Sequence, residues 1–142
     1  MVKNPPEGMP ACCPCLFYDD VEKAVRFLGK AFGLEKRFAH AGPDGKIAHA
    51  QMGLGSALVM LGGTNAPGAL RTARSPKAAG SLNASVYLFV NDVDAHCRRA
   101  REAGAEILSE PADMFWGDRI YCALDPEGQF WCFATHVRDV AM

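Results

Sequence analysis

A segment that occurs twice places the strongest constraint on how this chain can fold. Residues 19–22, Asp-Asp-Val-Glu, recur as residues 91–94, Asn-Asp-Val-Asp, and apolar residues at helical spacing follow each copy. Each run then reaches a glycine, Gly33 in the first copy and Gly104 in the second. Acidic residues suit the first turn of a helix, and glycine suits the left-handed position beyond its end. The unit is too long for a solenoid repeat and occurs only twice, so we interpret it as a duplicated module.

The start of each predicted helix carries a capping pattern. Asp19 is expected to cap the first helix, with Glu22 three residues later completing a capping box. Asn91 and Asp94 have the same relation in the second copy. The two helices are therefore predicted to begin in the same way.

Strand-like segments surround each helix in the same order, one before it and three after it. We expect strands at residues 10–18, 34–41, 46–54 and 56–61 in the first copy, and at 82–90, 106–109, 119–124 and 129–135 in the second. Turn signals separate paired strands, with Pro-Asp-Gly at 43–45 and Asp-Pro-Glu-Gly at 125–128. The sequence predicts an α+β fold in one domain, residues 1–142, with βαβββ modules at 10–62 and 81–137.

The segment at 63–80 joins the two predicted modules and is rich in Gly, Ala and Pro, with Arg71, Arg74 and Lys77 interspersed. A connection of this length is unusual inside a compact domain unless it is mobile or functional. It is either a disordered crossover or a lid over a binding site.

Charge and hydropathy exclude several classes of partner. The formal net charge is −1 and no basic block is present, so neither nucleic acid nor an anionic membrane is expected as a partner. Apolar stretches such as 57–61 and 86–90 are far too short to span a bilayer. The first residues lack the hydrophobic core of a signal peptide, which predicts a cytoplasmic protein.

The chain contains six cysteines, three of them crowded at Cys12, Cys13 and Cys15. Secreted disulfide scaffolds are usually shorter and richer in cysteine. Free cysteine packs as a small, buried hydrophobic residue. We therefore expect reduced, buried thiols.

Several motifs in this order resemble a known family. They are the Asp-Val-Glu-Lys-Ala helix start, the Phe-Gly-Leu after that helix, and the Asp-Pro-Glu-Gly-Gln-Phe-Trp segment at 125–131. From about residue 10 to residue 136 the chain resembles the vicinal oxygen chelate superfamily, the glyoxalase/bleomycin resistance/dioxygenase group. Pro14, His-Ala-Gln at 49–51 and Trp-Gly-Asp-Arg at 116–119 are similar to its PhnB-like subgroup.

The resemblance implies curved mixed sheets that form an open cup, and a homodimer made by module pairing. The family's metal-ligand positions fall on Cys13, Met60, Ser85 and Cys132, none of them a histidine or a carboxylate. No metal cofactor is therefore expected, because a hard divalent ion needs oxygen or imidazole ligands. These residues either line a metal-free pocket or form a soft-metal site through Cys13, Met60 and Cys132, which Cys15 could join.

Polar and aromatic residues complete the candidate site. His49 is the best general acid/base candidate because its ordinary pKa lies near neutrality, although a structural role is also open. His40, His96 and His136 are interpreted as surface residues. Arg119 could clamp a carboxylate or phosphonate, or form a strand-edge salt bridge. Most aromatic side chains are expected in the core, with Trp116 as a gate to the cup.

We predict a metal-independent protein that binds a small organic molecule in an aromatic-lined cup, of the glyoxalase/bleomycin-resistance type. The residues predicted to contact the ligand are Cys13, Cys15, Phe17, Gln51, Met60, Ser85, Tyr87, Trp116, Arg119 and Cys132. One alternative is a glyoxalase-like lyase or isomerase that uses His49 as its acid/base. Another is a non-catalytic interaction subunit with a vestigial cup.

Overall fold

The computed structural model describes residues 2–66, 68 and 72–141. Its elements in chain order are β1 (Cys15–Tyr18), α1 (Val21–Phe32), β2 (Glu35–Ala41), β3 (Ile47–Leu54), β4 (Ala57–Gly63), α2 (Pro76–Ala79), β5 (Ser85–Phe89), α3 (Val93–Glu102), β6 (Glu106–Asp113), β7 (Asp118–Leu124) and β8 (Phe130–His136). The predicted α+β order, βαβββ twice, is confirmed.

The chain divides into two compact units. The first comprises Met1–Gly29 and Gly33–Arg74, and the second comprises Lys30–Phe32 and Ser75–Met142. Each unit contains one four-stranded mixed sheet, in the order β1-β4-β3-β2 in the first and β5-β8-β7-β6 in the second. In each sheet the leading strand pairs in parallel with the last strand of its module, and the other pairs are antiparallel.

Alternation along the strands gives the first sheet two different faces. Ala50 and Met52 of β3 and Val59 and Leu61 of β4 are at most 1% exposed. Their alternate neighbours point the other way, because successive side chains in a strand lie on opposite faces. We call that second surface, carried by His49, Gln51, Met60 and the residues in register with them, the first open face.

The second sheet is organised in the same way around an aromatic core. Tyr121, Trp131 and Phe133 are fully buried on the face against which α3 packs. Phe32, at the end of α1, joins them with ring centroids 4.8 Å from Phe133 and 5.5 Å from Trp131. Offset aromatic pairs at these distances stabilise a core beyond the area they bury. We call the surface on the other side of this sheet, which carries Tyr87 and the residues in register with it, the second open face.

The Asp-Pro-Glu-Gly motif forms the turn between β7 and β8. The Asp125 carboxylate accepts hydrogen bonds from the backbone nitrogens of Glu127 and Gln129 and from Trp131 Nε1, at 3.0 to 3.1 Å. Asp125 is buried, and these donors stabilise its charge. The motif therefore fixes the turn and orients the core tryptophan.

The predicted helix caps are wrong by one residue in both copies. The N-cap residues are Asp20 and Asp92, whose side chains accept from the backbone nitrogens of Lys23 and Ala95. The helices begin at Val21 and Val93, so the second acidic position of the repeat is the residue that precedes the first turn and can reach its free amides. Asp19 instead accepts a hydrogen bond from the Thr64 hydroxyl at 2.6 Å.

Part of the predicted linker at 63–80 has a defined structure. The short helix α2 begins after Ser75, which is 1% exposed and caps it, and Lys77 N donates to Glu127 O in the β7–β8 turn. The boundary between the two units falls within this linker, after Arg74. Arg71, one of its predicted cations, lies outside the described residues.

The expectation of six reduced, buried cysteines is wrong. Cys122 and Cys132 form a disulfide between β7 and β8, where they are Cα partners 4.3 Å apart. Cys12 and Cys15 are exposed, and Cys97 is buried. Composition could not reveal this, because only the strand register brings Cys122 opposite Cys132.

Within the described residues, no helix is both long enough and apolar enough to cross a membrane.

Two glycines with nearly equal dihedral angles allow one steric contact to be tested. Gly117 has φ +99° and Gly104 has φ +97°, but a Cβ at Gly117 would overlap the Arg138 carbonyl oxygen, whereas nothing lies within 4 Å of one at Gly104. Gly104→Ala should cost about 1–3 kcal/mol of unfolding free energy from backbone strain alone. Gly117→Ala should cost clearly more in chemical denaturation; equal losses would show that the Arg138 contact is unimportant.

Cysteine accessibility provides a second test. When the folded protein is alkylated without a reductant and then analysed by mass spectrometry, Cys12 and Cys15 should be modified first because they are exposed. Cys97 should react only after unfolding, and Cys122 and Cys132 only after reduction as well. Labelling of Cys122 or Cys132 in the unreduced, unfolded protein would contradict the disulfide.

Candidate functional site

The first open face brings together most of the site residues predicted from the first module. One cross-strand row, set by the register of β1, β4, β3 and β2, contains Cys15, Met60, Gln51 and Phe38. The adjacent row contains Phe17, Gly62, His49 and His40. Residues opposite one another in a sheet share a face and have neighbouring side chains. The structure therefore places the predicted Cys15, Phe17, His49, Gln51 and Met60 on one surface.

Gly62 is the one position of the second row that carries no side chain. A Cβ at Gly62 would lie 3.6 Å from Phe17 Cε1 and 3.9 Å from Cys15 Sγ, which are ordinary contact distances. The Phe17 ring and the Cys15 thiol therefore lie beside bare backbone at this position.

Arg37 is a residue of this face that the sequence analysis missed. It lies at the β2 register shift between Lys36 and Phe38, and its guanidinium packs directly over Gly53. One of its amino groups donates to Gly55 O at 2.9 Å. No pattern along the chain signals this contact, because only the pairing of β2 with β3 brings Arg37 to Gly53.

The cysteines next to β1 have different surroundings. Cys13 is half-buried just before the strand, with its thiol 3.7 Å from Pro10 O. Although Cys15 is exposed as a residue, partial desolvation raises the pKa of its thiol. A protonated thiol is a poor metal ligand and a poor nucleophile.

The second open face contains Tyr87, Cys132, Cys122 and Ser109 in one row, with Ser85 next to Phe130 in another. Trp116, from the loop before β7, donates from Nε1 to the Tyr87 hydroxyl at 3.3 Å. Three predicted ligand contacts from the second module, Ser85, Tyr87 and Cys132, thus share this surface, and Trp116 is hydrogen-bonded to it.

Arg119 lies on the other side of the second sheet. Its guanidinium pairs with both carboxylate oxygens of Asp94 at 3.0 Å and with Asp113 at 3.0 Å. These hydrogen bonds raise the pKa of Arg119 and lower that of Asp94. Its donors are used to hold α3 against β7, so Arg119 belongs to neither open face.

The residues at the family's metal-ligand positions do not fit a hard divalent ion. Cys13 and Met60 offer only sulfur, and Ser85 offers a neutral hydroxyl. The Cys132 sulfur is bonded to Cys122 and cannot serve as a thiolate. Across the described ranges, no three His, Cys, Asp or Glu side chains cluster in a way that could hold a metal ion.

A hydrogen-bonded cluster at the end of the second open face was also missed. The Tyr87 hydroxyl donates to Asp118 Oδ2 at 2.6 Å, and His136 Nδ1 lies 2.8 Å from Asp118 Oδ1. His136 Nε2 lies 2.8 Å from an oxygen of Asp139. Bonds from Tyr87 and then His136 lower the pKa of Asp118, and bonds to Asp118 and Asp139 raise the pKa of His136.

His96 has the opposite environment to His136 and is not the surface residue that was predicted. Its Nε2 donates to Phe32 O at 2.7 Å, because a carbonyl can only accept, and its Nδ1 lies 2.6 Å from the Tyr121 hydroxyl, which donates to it when the ring is neutral. Burial lowers the pKa of His96, although the hydrogen bond to Phe32 opposes the shift.

The two histidines should titrate on opposite sides of the ordinary histidine pKa of about 6.5. In an NMR pH titration, His136 should titrate above that value and His96 below it. Asp118→Asn should lower the pKa of His136, whereas the remote Asp44→Asn should not change it. An unchanged His136 pKa in Asp118→Asn would contradict the pairing.

The pKa shifts of His136 and His96 also determine at which end of the pH range each histidine stabilises the folded protein. The pKa of His136 is raised, so its contribution is present below its unfolded pKa and is lost as pH rises through the folded pKa. The pKa of His96 is lowered, so its contribution is present above the unfolded pKa and is lost as pH falls.

Comparison with known proteins places the fold in a family. A family model described as the glyoxalase/bleomycin resistance protein/dioxygenase superfamily matches residues 11–133. An uncharacterized protein of Mycobacterium bovis is 35% identical over 133 residues, which cover 94% of this chain and 88% of that protein. An uncharacterized protein of Mycobacterium tuberculosis H37Rv has the same identity, with 78% of its length covered.

Solved structures of other proteins share the fold of this chain. TioX from Micromonospora sp. ML1 superimposes with a TM-score of 0.71 at 32% identity, covering 89% of this chain and 99% of that one. A superfamily member from Sphaerobacter thermophilus shares the fold, with a TM-score of 0.66 at 23% identity and coverage of 89% and 98%. Since the family model spans most of the sequence, this chain belongs to the glyoxalase/bleomycin resistance protein/dioxygenase superfamily.

Proposed function

We propose that this protein binds a small organic molecule without a metal ion, and that the first open face is part of its binding surface. The observation that carries the proposal is that Phe17, Met60 and Gln51 lie on one face, around the bare backbone at Gly62. A mostly apolar surface with a few fixed polar groups is the usual composition of a small-molecule site. The chemistry of the donors at the family's metal positions supports binding without a metal.

The residues of this face suggest what kind of molecule it would bind. The Phe17 ring and the polarisable Met60 thioether favour a flat, apolar ligand. The Gln51 amide and the Arg37 guanidinium offer hydrogen bonds at its edge. Each methylene-sized group that leaves water contributes about 0.8 kcal/mol, so a two-ring compound would gain useful affinity from this contact alone.

The surroundings of His49 favour binding over the lyase or isomerase alternative. A general base is normally oriented by a hydrogen bond to a third group. Among the described residues no hydrogen bond orients the His49 ring, whose neighbour is Phe38 at 6.5 Å between centroids. We therefore assign His49 to the wall of the binding surface.

The proposal also includes a subgroup of the family, further ligand contacts and an oligomeric state. Pro14 and the Trp-Gly-Asp-Arg segment at 116–119 support a place in the PhnB-like subgroup. Ser85, Tyr87, Trp116 and Cys132 are proposed as further ligand contacts on the second sheet. A homodimer formed by module pairing is proposed on the family resemblance.

Naphthol, a planar aromatic probe with one hydroxyl group, tests the site. In protein labelled on the methionine methyl groups, naphthol should shift the NMR signal of Met60 and leave that of Met52 unchanged, because Met52 is 1% exposed on the buried face of the neighbouring strand. Gly62→Val should place a branched side chain against the Phe17 ring, cover the surface that naphthol would contact, and weaken binding about tenfold or more, equivalent to about 1.4 kcal/mol. Gly62→Ala is the matched control and should have a smaller effect.

Two further measurements separate the alternatives. Dialysis against a chelator should leave naphthol affinity unchanged, and His49→Ala should reduce it only modestly. Naphthol binding that is lost with the chelator, or that is insensitive to Gly62→Val, would refute the proposed site.

A further inference from the structure

The end of the second open face contains an imidazole held between two carboxylates. Asp118 and His136 are Cα partners on β7 and β8, and their side chains meet at 2.8 Å. Asp118 is 6% exposed and is also held by Tyr87, which crosses from β5. The inner side of His136 is therefore anchored to the sheet.

The hydrogen bonds define where the protons lie. Trp116 Nε1 can only donate, so the Tyr87 oxygen accepts there and its single proton goes to Asp118. An ionised Asp118 can only accept, so His136 Nδ1 carries a proton. Asp139 is likewise an acceptor at 2.8 Å from Nε2, so that nitrogen carries a proton too. Both hydrogen bonds can form at once only when both nitrogens are protonated, so the two carboxylates favour the imidazolium form of His136.

The outer carboxylate is held much less firmly than the inner one. The Asp139 side chain is fully exposed, whereas that of Asp118 is 8% exposed. Asp139 lies in the segment after β8 that has no helix or strand structure. An exposed ion pair of this kind contributes little stability, because water solvates both groups. A carboxylate from another molecule could therefore replace Asp139 on Nε2.

The loop before β7 approaches the imidazole and carries two aromatic residues. A Cβ on Gly117 would be 3.3 Å from His136 Cε1, so the loop backbone meets the edge of the imidazole at this glycine. The two preceding residues are Phe115, 78% exposed, and Trp116, whose rings form an edge-to-face pair with centroids 5.0 Å apart. An exposed aromatic pair on the loop that reaches a cation suits a planar ring that carries an acidic group.

We propose that His136 Nε2 is a carboxylate-binding site for a small aromatic acid, and that Asp139 occupies it when the ligand is absent. Asp118 and Tyr87 are positioning residues that orient and charge the imidazole. The proposed ligand is an anion, and all the residues that would bind it or orient His136 belong to the second unit. It does not depend on the first open face, so the naphthol experiment and the one below can fail independently.

Sodium benzoate is the probe, with benzamide as its uncharged counterpart. Benzoate should shift the NMR signal of the His136 Cε1 proton, and benzamide should shift it far less. Asp139→Asn removes the internal competitor while keeping its shape, and should tighten benzoate binding about two- to fivefold, the range expected for one exposed ion pair. Glu102→Gln removes a charge from the exposed end of α3 and should leave the affinity unchanged.

The pH profile distinguishes a binding role from a structural one. The titratable groups that face the imidazole are Asp118 from β7 and Asp139 from the C-terminal segment, with the Tyr87 phenol behind Asp118. Benzoate affinity should fall as pH rises through the pKa of His136. In Asp139→Asn that fall should move to lower pH, because one of the two carboxylates that favour the cation is gone.

Three results would overturn the proposal. They are a His136 signal that does not respond to benzoate, equal responses to benzoate and benzamide, and an Asp139→Asn affinity no higher than that of Glu102→Gln. His136→Gln should abolish the benzoate response at other signals of the site. Because His136 is half-exposed, this variant should fold, and its amide spectrum would verify that.

Discussion

The strand register is the constraint on which both candidate surfaces depend. Side chains alternate between faces with a period of two, so a shift of one residue would move every site residue to the opposite side of its sheet. In the first sheet the buried Ala50, Met52 and Leu61 hold this register, because any slip would expose them. The same burial that stabilises the fold thereby presents His49, Gln51 and Met60 on the other face.

The chain keeps the architecture of its superfamily but has different chemistry at the metal positions. Thiols, a thioether and a hydroxyl replace the donors that a hard ion requires, and one of the thiols is used in the Cys122–Cys132 disulfide. What remains on the first open face is a surface for apolar contact with a polar edge. The Asp-Pro-Glu-Gly motif, one of the motifs on which the family resemblance depends, serves the fold, since the Asp125 carboxylate accepts hydrogen bonds from the turn and from the Trp131 indole.

The histidines show how the surroundings determine the function of one residue type. His96 is half-buried between a backbone carbonyl and a phenol, and desolvation lowers its pKa, whereas His136 lies between two carboxylates, which raise its pKa. His49 lies on the first open face with Phe38 as its aromatic neighbour. The sequence favours His49 as the general acid/base candidate, but in the structure it is His136 that lies between two carboxylates.

The sequence by itself determined the duplicated βαβββ order, the helix ends at Gly33 and near Gly104, and the hairpin turns, because these depend on local propensity and on the spacing of apolar residues. It also grouped Cys15, Phe17, Gln51 and Met60 as predicted ligand contacts, but that they share a face of the first sheet follows from the strand register. Only the tertiary structure decided the cap residues, the disulfide, the place of Arg37 and the Tyr87–Asp118–His136 cluster. Each of these joins residues from different strands or depends on the geometry of a backbone amide, and no pattern along the chain specifies how strands align.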